Sequence, residues 1–349
     1  MFLGVGALVI GLIFYNLRKN PEWQTFSWNR LWASIIGARL DGLLLAAVCV
    51  LGTFFFRAIR WWFFMEPIKR ASLWTLFVGQ ILGFSSIFLI GRPGELVRPA
   101  YIAKKESVPM SAMLAVWLLE RAFDTIAMVV LFAAALYFGH IEPATARGVS
   151  GMELVHKGGN WLFGFTGLVV LGLVLFRLKP ELMKAVVLRL FRFLPRRALR
   201  LLEHVLHAFG EALGVIRDWK GLAGSVATTA VVWCLGTSVF WLVFKSLGGE
   251  MARLGWLPAA FTLFCAALGL VVQIPGVGGG YPAAVIFVLT DLFNVSAPPA
   301  SGAGILVWVV MSVPCLALGL ILLIHEGLSF RKLEAITKEE EAAASLEKV

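Results

Sequence analysis

The chain has 349 residues, 59% of them hydrophobic and only 15% charged, with a mean hydropathy of +0.85. Repeated uncharged windows of bilayer-crossing length exclude an ordinary soluble domain and point to an all-α polytopic membrane protein. Its 31 Lys and Arg against 21 acidic residues give +10, which reads as loop charge on the cytoplasmic side because no nucleic-acid motif accompanies it.

The first crossing is expected at about 1–17, which lacks the basic start and small-residue cleavage site of a secretory signal. Arg18, Lys19, Arg30 and Arg39 follow it on what becomes the outer side, and only headgroup contact accounts for them. A second crossing, 40–57, leads to Arg57, Arg60, Lys69 and Arg70, read as a cytoplasmic loop. Next come 21 uncharged residues, Ala71 to Gly91, and then the charged stretch Gly91-Arg92-Pro93-Gly94-Glu95-Leu96-Val97-Arg98-Pro99-Ala100-Tyr101. Because both flanks of this run are basic, it should enter and leave on one side, as a re-entrant hairpin over 73–105 broken at Gly91 to Gly94. Irregular backbone at membrane depth survives only inside protein or along a wet cavity. The break therefore predicts a cleft.

A crossing over 109–138 carries Glu120-Arg121-Ala122-Phe123-Asp124 in an apolar setting. Each such charge costs roughly 2.5 to 3.5 kcal/mol at the centre of a membrane helix, so the cluster needs partners and a task. Glu120 lies about 16 Å along this helix, with Asp124 at i+4 on the same face and Arg121 pointing elsewhere. After a crossing at about 158–177, the segment 178–220 holds nine basic residues against four acidic ones. It reads as cytoplasmic, and its apolar and basic residues alternate as in one or two amphipathic helices on an anionic leaflet, or as a purely topogenic loop. A crossing at 222–247 follows. Leu254 to Thr290 then runs 37 residues without a charge, about 55 Å as one helix against a hydrocarbon core of about 30 Å. It must turn back, at Pro275-Gly276-Val277-Gly278-Gly279-Gly280-Tyr281-Pro282, forming a second hairpin over 256–293 from the outer side. A crossing at 301–325 and Arg331 and Lys332 place the C-terminus inside, as the scheme also places the N-terminus.

The order of elements thus occurs twice with opposite orientation. Residues 1–138 form a first membrane repeat, 139–328 a second, and 329–349 a cytoplasmic tail. This is an inverted-repeat bundle of about six full crossings and two re-entrant hairpins, the pattern of transporters whose site lies between the repeats. Thr75-Leu76-Phe77 and Thr262-Leu263-Phe264 at the two hairpins share a trace of sequence.

Three motifs carry a resemblance. GRPGELVRPAYIAKK, VPMSAMLAVWLLERAFD and IPGVGGG together resemble the flippase-like transmembrane family typified by the membrane region of lysylphosphatidylglycerol synthases, across nearly the whole chain. The resemblance implies movement of lipids or lipid-linked headgroups between leaflets in a bacterial or archaeal inner membrane. Two departures stand out. Tyr281 and Pro282 stand where the late loop of the family often continues to an acidic residue, and the chain stops at Val349 without a soluble aminoacyl-transfer domain, so synthesis is not expected of it alone.

The candidate substrate-binding residues are Arg92, Glu95, Arg98, Glu120, Arg121, Asp124, Gly276, Gly278, Gly279 and Tyr281. Arg92 and Arg98 straddle the break and suit bidentate phosphate recognition, with helix amides near Glu95 adding a positive end. The same charges also read as a static ion-pair lock between hairpin and helix, and the two readings are compatible. Gln80, Ser85, Ser86 and Gln273 either line the cleft or bond neighbouring helices, and Tyr101, Trp117 and Tyr281 either touch lipid or pack. Cys49, Cys234, Cys265 and Cys315 show no metal or disulfide spacing. No cofactor, metal or catalytic motif is expected, nor a Walker motif. Membrane lipids, an anionic phospholipid or a polyprenyl-phosphate-linked lipid, are the expected partners, and a homo-oligomer is compatible with the sequence. A lipid-modifying transferase using Glu120 or Asp124 as base and an accessory subunit of an envelope-assembly complex are the alternatives to a translocase.

Overall fold

The computed structural model describes residues 26–138, 150–216, 218–270 and 279–326, and every regular element among them is helical. Crossing 1–17 and the tail 329–349 lie outside the described residues. The chain opens with a short helix, α1 (Trp28–Ile36), whose N-terminus is capped by Ser27 accepting from the Arg30 amide at 3.4 Å. It exposes Trp28 and Trp32 and buries Leu31, the division of an interfacial helix with an aromatic edge. Two of the four basic residues that had no place in the loop scheme acquire one here: Arg30 lies on α1, and Arg39, just beyond it, bonds Asp41 at 2.6 Å, while Arg18 and Lys19 lie outside the described residues.

Helix α2 (Leu40–Met65) is 26 residues long, about 39 Å. It continues eight residues past the end predicted at 57. This corrects the sequence reading, which placed Arg57 and Arg60 in a following loop. Both lie within the helix, because carboxylates from another helix neutralise them and the chain has no need to leave the apolar phase.

The first hairpin forms over the expected span. Helix α3 (Leu73–Ile90) ends at Gly91, whose φ of 76° lies in the region that glycine alone enters freely. A 3-10 turn (Arg92–Leu96) and α4 (Val97–Glu106) return the chain. A Cβ on Gly83 would lie 2.6 Å from the Arg98 Cβ, and one on Gly79 would lie 2.7 Å from Ile102, so these two glycines let α4 lie directly on α3. The outgoing arm is 18 residues, long and apolar enough to cross by itself. At the foot of the hairpin Glu106 closes the loop, accepting from the Ser72 amide at 3.1 Å.

Helix α5 (Met110–Phe138) crosses next. It is followed by α6 (Ser150–Leu178), α7 (Pro180–Leu190) and α8 (Arg196–Ala212). Part of the amphipathic segment differs from expectation. The apolar face of α8, with Val205, Leu206, Ala208 and Ala212, is buried, and the helix packs along α5. Protein therefore takes the place of a lipid surface under α8, while α7 leaves Leu182, Val186 and Leu190 exposed.

The second half continues with α9 (Trp219–Leu247), started by Asp218 accepting from the Gly221 amide at 3.0 Å. Helix α10 (Trp256–Gly269) and α11 (Gly280–Phe287), which runs on into a π-helical turn (Val288–Leu292), form the arms of the second hairpin. The break expected in the Pro275 to Pro282 run falls largely on 271–278, outside the described residues. Glu250 at the foot of the hairpin accepts from the Ser296 amide at 2.8 Å, beside the start of α12 (Ala297–His325). Among the described residues five helices, α2, α3, α5, α9 and α12, are long and apolar enough to span, and the expected crossing at 158–177 falls within α6, 29 residues long.

Two-fold order shows in what packs on what. Helices α2 and α9 run against each other along their lengths, with Gly42 facing Ser246, Gly52 facing Leu235 and Gly224 facing Phe63, which makes them antiparallel. Helix α3 packs on α2 and α12, while α10 packs on α9 and α5; α4 packs on α5, while α11 packs on α12. The short amphipathic helices obey the same exchange, α1 lying on α12 and α8 on α5. Each half thus places the leading arm of its hairpin on the closing helix of the other, α3 on α12 and α10 on α5.

The α2–α9 seam depends on small residues. A Cβ on Gly224 would fall 2.4 Å from the Phe63 ring. Gly224→Leu is expected to cost about 1 to 3 kcal/mol through overpacking, measured as a lower melting midpoint in detergent with a loss of monodisperse protein on gel filtration.

Candidate functional site

Four elements converge where α5 passes α2. Glu120 and Asp124, one turn apart on α5, present their carboxylates to the same side, as i and i+4 residues must. Glu120 is fully buried and Asp124 nearly so. Arg60 of α2, also fully buried, bridges them: its Nη2 donates to Glu120 Oε1 at 2.6 Å and its Nη1 to Asp124 Oδ1 at 2.7 Å. From the hairpin, Arg98 Nη2 donates to Glu120 Oε2 at 2.6 Å, and Nη1 donates to Gln80 Oε1 of α3 at 2.7 Å. The Arg98 guanidinium also sits 4.6 Å over the Trp61 ring, a cation–π contact strengthened by desolvation.

The second half of the chain reaches the same point. Trp233 Nε1 of α9 donates to Asp124 Oδ1 at 3.2 Å, and Arg60 Nη1 donates to the Thr229 hydroxyl at 3.2 Å. Two further arginines complete the group at longer range. Arg57 Nη1 lies 3.2 Å from Glu120 and 3.5 Å from Asp124, and Arg121 Nη2 lies 3.2 Å from each. Arg121 therefore does not point away from its neighbours as expected, because its long side chain curls back along the helix to the carboxylates. Glu95 of the 3-10 turn interacts electrostatically with Arg121.

Of the residues chosen from sequence, Glu95, Arg98, Glu120, Arg121 and Asp124 are brought together. Arg92 lies on the turn at the hairpin break. Tyr281 is buried elsewhere, with its hydroxyl on Met311 Sδ at 2.8 Å and its ring 6.2 Å from Phe240, so its contacts are packing contacts between α11, α12 and α9. Gly279 has φ 61° and precedes α11, while Gly276, Gly278 and Gln273 fall outside the described residues. Ser85 donates to the Cys315 carbonyl of α12 at 3.0 Å and Ser86 to Leu82 within its own helix. Tyr101 is buried in the core.

Sequence reasoning missed Arg57, Arg60, Thr229 and Trp233. A signal for the first two existed. Arg57 and Arg60 share one helix face and stand within an aromatic run, Phe54 to Phe64, that is otherwise uncharged. Ending the crossing at the first charge hid them.

Counted together, Arg57, Arg60, Arg98 and Arg121 face Glu95, Glu120 and Asp124, so cations exceed anions among the described side chains. Arg60 Nε, Arg121 Nε and Gln80 Nε2 are buried without a partner. An excess of positive charge at an apolar depth, with idle donors, is costly alone and fits an anion. No trio of His, Cys, Asp or Glu among the described residues is arranged to hold a metal. A cavity of about 470 Å³ lies apart from the charges, lined by Phe138, Arg253, Trp256 and Phe293 among others.

Over residues 2–319 the chain matches the family described as the lysylphosphatidylglycerol synthase TM region, and it belongs to that family. It is an integral membrane protein. No curated protein matches the chain.

Because Arg60 alone bonds both carboxylates at short range, its loss leaves Asp124 with only the longer contacts of Arg57, Arg121 and Trp233 and breaks a fully buried pair with Glu120. Arg60→Leu is expected to cost about 3 to 5 kcal/mol, read as collapse of folded yield in detergent extracts. Normal yield and melting would mean that water or Arg57 fills the gap.

Proposed function

We propose that this member of the family is a lipid translocase, moving an anionic phospholipid or a polyprenyl-phosphate-linked lipid between leaflets along a cleft beside the buried charges. The observation that carries the reading is the excess of guanidinium over carboxylate at the junction of hairpin, α2, α5 and α9. A phosphate is the common anion that such a group, forked and planar, holds best, and every membrane lipid of this class carries one.

Two further features support translocation. Both halves of the chain contribute to the site, α2, α4 and α5 from one and Trp233 and Thr229 from the other, as alternating access by rocking of two repeats requires. The hairpins also pack on both sides of the α2–α9 seam, where their movement would open the site in turn to either leaflet. In this reading the protein performs no bond chemistry, needs no cofactor, and works in the inner membrane with both termini in the cytoplasm. Energy comes from ion coupling or from downhill flow.

An intramembrane transferase is the second reading, since Glu120 and Asp124 are carboxylates close to an anion-binding group. Every carboxylate oxygen of the two is already engaged by a cationic donor, which leaves none free to take a substrate proton.

Liposomes containing the purified chain and headgroup-labelled phosphatidylglycerol separate the two. Translocation predicts leaflet exchange above protein-free liposomes, with no new lipid on mass spectrometry, and roughly tenfold slower exchange in Glu95→Gln, equivalent to about 1.4 kcal/mol in the barrier. A new lipid product with unchanged exchange would establish the transferase instead.

A further inference from the structure

The four arginines around Glu120 and Asp124 are not equivalent. Arg60 has both terminal nitrogens on carboxylate oxygens at 2.6 and 2.7 Å and no exposed surface. Arg98 is similarly committed, with one nitrogen on Glu120, the other on Gln80, and its face against Trp61. These two are held from several sides.

Arg57 and Arg121 differ in every respect. Their contacts with the carboxylates run from 3.2 to 3.5 Å, and their side chains are 17% and 43% exposed. Only Nη1 of Arg57 engages the carboxylates, and Arg121 Nε has no partner although buried. Both reach the same oxygen, Asp124 Oδ2, so the two guanidinium groups are neighbours across one carboxylate although they come from different helices. Arg121 sits eleven residues into α5, about 16 Å from its start. A guanidinium exposed at that depth faces water or a polar headgroup, since hydrocarbon would not hold it.

We propose that Arg57 and Arg121 are the pair that takes the ligand, holding a phosphate mono- or diester anion between their free N–H edges, while Arg60 and Arg98 lock the carboxylates that aim the pair. The assignment deepens the lipid-handling reading and rests on it for the source of the phosphate. An incoming phosphate exchanges the longer contacts of Arg57 and Arg121 for shorter charge-assisted ones and offsets the surplus positive charge. The short bonds of Arg60 and Arg98 remain in place.

The test uses the purified full chain in detergent, titrated with short-chain phosphatidylglycerol, with diacylglycerol of the same chain length, and with inorganic phosphate. Tryptophan fluorescence is the readout, since Trp61 and Trp233 border the charges, with melting midpoints as a check on folding. Arg57→Gln and Arg121→Gln are expected to fold and to bind phosphatidylglycerol roughly 10-fold to 100-fold more weakly, the loss of a hydrogen bond to a charged group. Wild-type affinity in both overturns the proposal, as does equal affinity of the wild type for diacylglycerol. Should the Gln variants fail to fold, Arg57→Lys and Arg121→Lys retain the charge and remove the fork. Weaker binding in these supports the proposal, and unchanged binding, or failure of all four variants to fold, overturns it. Inorganic phosphate competing as well as the lipid supports the arginine pair while removing lipid as its natural ligand. Tight lipid binding through Arg57 and Arg121 without leaflet exchange in liposomes keeps the site and rejects translocation, whereas exchange that both variants leave unchanged keeps translocation and rejects the site.

Discussion

The fork of Arg60 between Glu120 and Asp124 is the interaction on which the interior depends. It is the shortest link between the two carboxylates that α5 carries through an apolar phase and the cations that α2 carries past Arg57. One guanidinium with two short bonds to two side chains on adjacent turns fixes both the distance between α2 and α5 and the rotation of each about its axis. The hairpin is then referred to the same pair of carboxylates through Arg98, and α9 through Trp233 and Thr229.

The hairpin shows how backbone and charge cooperate. Gly91 turns the chain with a positive φ, and Gly79 and Gly83 let α4 lie on α3 close enough for Arg98 to reach both Gln80 and Glu120. A bulkier residue at Gly83 would displace the Arg98 backbone and with it the guanidinium. Motif glycines and motif charges are therefore parts of one device: the glycines set the approach that the ion pairs require.

The exchange of leading hairpin arms between halves gives the molecule its cohesion. Membrane helices gain little from hydrophobicity against lipid, so close packing and interhelical hydrogen bonds must hold them. Here the α2–α9 seam with its glycines supplies the packing, and α1 and α8, each lying on the far half, close the bundle at both ends.

The amino-acid sequence by itself determined that the chain lives in a membrane, that it breaks near Gly91, and that Arg98, Glu120, Arg121 and Asp124 stand as costly charges in an apolar setting. These are local signals: hydropathy, helix breakers, and charge where charge is costly. Only the tertiary structure decided who pairs with whom. Arg57 and Arg60 looked like ordinary loop cations because a basic residue at the end of an apolar run is, locally, a membrane boundary; what makes them interior is α5, more than fifty residues away. Trp233 and Thr229 carried no signal at all, being common residues in an apolar helix. Tyr281 lies inside a distinctive motif yet packs on Met311 and Phe240, since a turn sequence marks where the chain bends and says nothing of which wall its aromatic ring will meet. Pairing is a property of space, and the sequence records it only where both partners are themselves improbable.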